Sequence, residues 1–155
     1  MRIKKLVAAV VGRHGSRDPF FICERLNIEI IYYHFSENIK GFFVKDNLKK
    51  QFIIALNSHL LPRTRKAVLS HELGHAYLHP ELSRYYIKRN TLFSTDKFER
   101  EADIFAAELL VPDLELIKHL KERSTLLKMS YELDVPLELL RIKIGNGRFD
   151  GEYYV

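Results

Sequence analysis

Apolar positions recur along the chain with two different periods. Over residues 65–78, Val68, Leu69, Leu73, Ala76 and Leu78 follow the three-to-four spacing that lines one side of an α-helix, and Pro80 stops it. The same spacing in Phe98, Ala102, Phe105, Ala106, Leu109 and Leu110 predicts a second long helix that Pro112 closes. Helical periodicity resumes over residues 114–120 and again at Leu126, Leu127, Met129, Tyr131 and Leu133. Asp134-Val135-Pro136 opens a last helix that reaches Ile144, and Gly145-Asn146-Gly147 ends it before a loose tail or partner surface. Nearer the start, Asp18 and Pro19 suit the cap and first turn of a helix over residues 20–26. Period-two, β-branched and aromatic runs at 28–33, 41–44 and 51–56 predict strands. Turn-like links at 36–38 and 45–47 favour an antiparallel meander.

The first residues, with Arg2, Lys4 and Lys5 ahead of a short apolar run and Arg13 and His14 beyond it, lack the apolar length and cleavage site of a leader. They predict a helix packed on the domain. Residues 83–97, with Tyr85, Tyr86 and Arg89, read as a loop between the two long helices, either a recognition loop or a plain connector. The whole order predicts an α+β fold: one domain over residues 1–155, its core about 20–145, with a helical C-terminal half.

Composition narrows the class. The chain has 155 residues, 46% hydrophobic and 29% charged, which suits a soluble domain with a core of its own. No apolar run approaches the roughly 20 residues that span a membrane. A lone Cys23 excludes an internal disulfide and points to the reducing cytoplasm. The net charge of +5 is scattered rather than clustered, and without a nucleic-acid-binding motif it argues against direct DNA binding. Nothing in the pattern sets the oligomeric state.

Chemistry concentrates in His71-Glu72-Leu73-Gly74-His75. On a helix, residues four apart lie on one face about 6 Å apart along the axis, so both imidazoles can meet one metal ion. Glu72 then stands beside the position where a bound water would lie, as the general base of zinc peptidases does. A third ligand decides between such a centre and a chance motif. His79 is about 12 Å from His71 along the helix, too far to share its ion, and suits a supporting or capping role. The metzincin pattern is excluded, because Leu78 and Glu81 stand where it needs Gly and His. In the second helix, Glu99 and Asp103 share the face of Ala102 and Ala106, the packed side, while Glu101 groups with Glu108 towards solvent. Glu99 is therefore the third ligand expected, with Asp103 accepting a hydrogen bond from the far nitrogen of a ligand histidine.

The run from His71 to Pro80, followed by Glu99-Arg100-Glu101-Ala102-Asp103-Ile104-Phe105-Ala106 and Leu110-Val111-Pro112, closely resembles the ImmA/IrrE family of metallopeptidases. The likeness covers residues 20–145 or so. It implies a gluzincin-like, Zn²⁺-dependent fold, with a small antiparallel three-stranded sheet packed on the motif helix and the strand before that helix at the rim of the cleft. It implies an intracellular endopeptidase that cleaves a helix-turn-helix repressor and so derepresses phage or mobile-element genes. The short lead before the core predicts the stand-alone form, without the extra DNA-binding domain of some members. The competing reading is a non-catalytic metal-binding module that grips a transcription regulator or toxin partner. Glu72 favours catalysis, since such a module has no need of a carboxylate beside the ion. Tyr77, Tyr85, Tyr86, His119 and Tyr131 are the candidates for stabilising the oxyanion.

Overall fold

The computed structural model describes residues 2–46, 48, 51–81 and 95–146. Helices α1 (Arg2–His14) and α2 (Pro19–Arg25) lead into strands β1 (Glu29–Tyr33), β2 (Gly41–Asp46) and β3 (Gln51–Asn57). Helices α3 (Pro62–Leu78), α4 (Thr95–Leu110), α5 (Asp113–Lys121), α6 (Leu126–Glu132) and α7 (Leu137–Asn146) complete the described chain. The α+β class expected from the sequence is what the structure has. At α2 the predicted start holds: Pro19 is the first helical residue and the Asp18 carboxylate accepts the Phe20 amide at 3.0 Å. The N-terminal segment is a helix that buries Val7 and Val10. The last helix runs through Gly145 and Asn146 rather than ending before them, and the predicted loop and tail lie almost wholly outside the described residues.

The sheet departs from the meander. Its order is β1-β3-β2; β2 and β3 pair antiparallel, with Phe43 opposite Ile54, but β1 and β3 pair parallel, with Ile31 opposite Ala55. Two causes meet at β3. Its run Ile54-Ala55-Leu56 is buried, and a strand covered on both faces belongs at the centre of a sheet. At its end, Asn57 collects the link between β1 and β2. Its side-chain amide donates to the carbonyls of Phe35 (3.1 Å), Ser36 (3.3 Å) and Ile39 (2.9 Å), and its backbone N–H donates to Lys40 (2.8 Å). That link therefore crosses the end of β3 instead of turning tightly. The strand before the motif helix is consequently central, and not at the cleft rim; β1 and β2 are the edges.

Two apolar clusters share α4. One joins the sheet to α1, α2, α3 and α4 through Ile22, Phe43, Ile54, Leu56, Leu69, Leu73, Phe105 and Leu109. The other packs α4 against α5, α6 and α7 through Ala106, Leu110, Leu116, Met129, Leu139 and Leu140. No helix among the described residues is long and apolar enough to cross a membrane.

Candidate metal centre

Helix α3 forms without a side-chain cap at its start, where Pro62 supplies the preset first-turn geometry. It ends at Leu78, and His79 caps it by donating its backbone N–H to the His75 carbonyl at 2.8 Å. Helix α4 lies against it closely because of Gly74. A Cβ there would stand 3.1 Å from Phe105 Cβ and 3.2 Å from Ala102 Cα, so the two backbones meet only because residue 74 has no side chain. Contacts run in opposite order along the pair, His71 meeting Asp103 and His79 meeting Phe98. This antiparallel approach carries Glu99 to the histidines.

His71 Nε2 lies 3.1 Å from His75 Nε2 and 3.2 Å from Glu99 Oε2, and His75 Nε2 is 3.5 Å from Glu99 Oε1. Metal–nitrogen bonds of about 2.0–2.1 Å at tetrahedral angles give ligand-to-ligand edges of roughly 3.3 Å, so the triangle has the dimensions of a single metal site. The potential ligand atoms of His71, His75 and Glu99 all lie within 4.8 Å of one another, an arrangement that could hold one ion. His71 Nδ1 is 2.7 Å from Asp103 Oδ1. With its proton on Nδ1, directed at that carboxylate, His71 has the Nε2 lone pair free for an ion.

Without a metal the acids draw a proton onto the imidazole. Burial resists charge on His71, but hydrogen bonds to Asp103 and Glu99, with the nearby charge of Glu72, push its pKa up to about 10. Hydrogen bonds from His71 and His75 hold the Glu99 carboxyl well below the usual carboxylate range. His79 shifts the other way, lowered chiefly by burial, although its Nε2 is 3.2 Å from Glu101 Oε2.

His71, Glu72, Glu99 and Asp103 open onto a cavity of about 470 Å³. Its walls include His71, Glu72, Val68 and Thr64 from α3, Glu99 and Asp103 from α4, Asn38, Lys40 and Gly41 from the β2 side, and Pro136, Glu138 and Leu139 at the start of α7. Glu72 is buried, only 7% exposed. Gly41 lets the sheet close on the helix: a Cβ at that position would fall 2.8 Å from Val68 Cγ1 and 2.9 Å from the Ala55 carbonyl.

Several expectations fall elsewhere in the structure. Glu81 is exposed and pairs with Lys45 at 2.9 Å. Glu108 is not on the solvent side; it is buried against Lys143, and Glu101 turns towards His79. Of the oxyanion candidates, Tyr77 approaches His14 at 3.3 Å and stacks on Phe105, His119 faces Glu132 on α6, and Tyr131 is 77% exposed on α6. None of the three lines the cavity, and Tyr85 and Tyr86 lie outside the described residues. The polar groups that do line it, Asn38, Lys40 and Glu138, carry no local signal in the sequence. Gly41, at the head of a strand, is the single hint of a close approach there.

The family model for Peptidase_M78, described as the IrrE N-terminal-like domain, matches residues 23–144. The chain is 37% identical over 141 residues to the uncharacterized immunity region protein 2 of Bacillus phage phi105, covering 91% of this chain and 88% of that one. It is 31% identical over 111 residues to the metallopeptidase ImmA of Bacillus subtilis strain 168, covering 72% of this chain and 64% of the other. The protein belongs to the ImmA/IrrE family of metallopeptidases.

Proposed function

Proceeding from that membership, we propose that the chain is a zinc endopeptidase that hydrolyses a peptide bond in a helix-turn-helix repressor, relieving repression of phage or mobile-element genes in the cytoplasm. The observation that carries the catalytic part is Glu72, buried on the wall of the same cavity as His71 and Glu99. In this reading His71, His75 and Glu99 hold Zn²⁺, a choice favoured by two imidazoles and one carboxylate with a fourth position left for water. When bound, the ion supplies Lewis acidity to that water and to the scissile carbonyl.

The remaining steps belong to the protein. Glu72 accepts the proton of the attacking water and delivers it to the leaving amide nitrogen. Asp103 keeps the His71 proton on Nδ1, which holds the ring in its binding tautomer. Lys40 and Asn38, on the opposite wall, bring N–H donors and a positive charge to the cavity that holds the reacting carbonyl. The repressor as substrate rests on the likeness to the family and on the relative from a phage immunity region.

The test is incubation of the zinc-loaded protein with the helix-turn-helix repressor encoded beside it, with Glu72→Gln as control, read by intact mass. Two fragments formed only by the wild-type chain are expected. An intact repressor that co-elutes with both forms replaces the peptidase with a binding module. A repressor that neither binds nor breaks removes the substrate assignment.

A further inference from the structure

A second pair of imidazoles converges where β1 and β3 finish side by side. Tyr33 is registered opposite Asn57, and the backbone pairing continues one step further, with Ser58 N–H donating to the Tyr33 carbonyl at 2.9 Å. His34 and His59 follow directly. Their facing nitrogens, His34 Nδ1 and His59 Nε2, are within hydrogen-bonding reach. The rings meet edge to face, with centroids 4.4 Å apart and an interplanar angle of 74°.

The backbone beneath both rings is fixed by one buried residue. Asn57, 4% exposed, accepts the His59 amide on its side-chain oxygen at 3.2 Å and donates to the Phe35 carbonyl at 3.1 Å, next to His34. The neighbouring cation is directed elsewhere: the Arg65 guanidinium lies 5.3 Å from the Tyr32 ring centre and donates to the Leu60 carbonyl at 2.9 Å.

We propose that His34 and His59 form a second metal site, separate from the His71–His75–Glu99 centre, for an imidazole-preferring divalent transition-metal ion such as Zn²⁺, Ni²⁺ or Cu²⁺. Nitrogens that face one another across two rings can each give a lone pair to one ion, with each ring's N–H on its other nitrogen. Nitrogen ligands without a carboxylate select this class of ion over Mg²⁺ and Ca²⁺. Both rings are exposed to solvent, so water fills the remaining positions. The preformed backbone lowers the ordering cost that usually makes two-ligand sites weak. Such an ion also fixes the root of the β1–β2 link, whose far end brings Asn38 and Lys40 to the cavity. None of this depends on the peptidase reading.

The experiment is equilibrium dialysis of the full chain against Zn²⁺, with bound metal counted by atomic absorption. The wild type is expected to take up two ions per chain, and His34→Ala and His59→Ala one each, the second site weakening at least tenfold. Because both side chains are on the surface, the metal-free variants should melt with the wild type, which separates lost ligation from lost fold. Excess Mg²⁺ should not displace the second ion. A wild-type metal count that His34→Ala and His59→Ala both leave unchanged overturns the proposal.

Discussion

Helix α4 carries two sets of acids with opposite fates. Glu108 turns inward to Lys143 at 2.5 Å; Lys143 also meets Asp113 at 2.6 Å, and Asp113 meets Lys4 at 2.5 Å. The lysine is 1% exposed and the Glu108 side chain 8%, so this cluster joins α1, α4, α5 and α7 in a closed network. Glu99 and Asp103, nine and five residues towards the helix N-terminus, face histidines instead and keep half and 43% of their side-chain surface exposed. Both sets are paired with a basic side chain. The difference is the partner: a lysine keeps its proton and fixes the pair, whereas an imidazole can give its proton up and offer a lone pair to an ion. One face of the helix is built to stay shut, and the other presents groups that could hold an ion.

That contrast can be broken at either end, and the largest effect expected is catalytic. Glu72→Gln should retain the metal and lose about 10²–10⁴-fold in turnover of a cleaved substrate, the usual contribution of a general base; retained turnover would remove Glu72 from the chemistry. At the closed face, Lys143→Ala leaves Glu108 and Asp113 without their buried cation. It should cost about 3–5 kcal/mol in urea unfolding while metal uptake by the folded fraction stays unchanged. Equal loss of metal affinity would show that the two faces are not independent. At the open face, Asp103→Asn should weaken metal binding about 10–100-fold, measured by competition with a chromophoric chelator.

The smallest effect separates the faces by pH. In metal-free protein the folded-state pKa of His71 is raised from 6.5 to about 10. Its contribution to stability is fully present below pH 6.5 and is lost as pH rises through about 10. Urea midpoints of chelator-treated protein should therefore fall between pH 7 and 10. His71→Asn should flatten that slope, and Lys143→Met should leave it intact.

The site was more legible than the sheet. Residues 71–75 and 99–103 lie within single helices, where spacing of four residues fixes a shared face, so the positions of His71, His75, Glu99 and Asp103 could be anticipated before any packing was known. Whether Glu108 faced water depended on Lys143, 35 residues away on α7, and no helical period contains that information. The sheet order turned on Asn57, whose side chain bonds three backbone carbonyls of the preceding link. A short turn-rich link is equally compatible with a meander, and only the buried central strand excludes it. The far wall of the cavity, Asn38 and Lys40 against Pro136 and Glu138, is assembled from segments about a hundred residues apart, beyond the reach of local pattern.

The parallel pairing of β1 with β3 also sets an order of assembly. Joining β2 to β3 closes a separation of only residues 47–50, whereas joining β1 to β3 requires the chain to return across residues 34–50. Loop-closure entropy rises with that separation, so the hairpin has the lower barrier and β1 docks after it. Asn57 can collect its three carbonyls only once β1 has arrived. The link bearing Asn38 and Lys40 thus takes its place at the cavity only after β1 has docked.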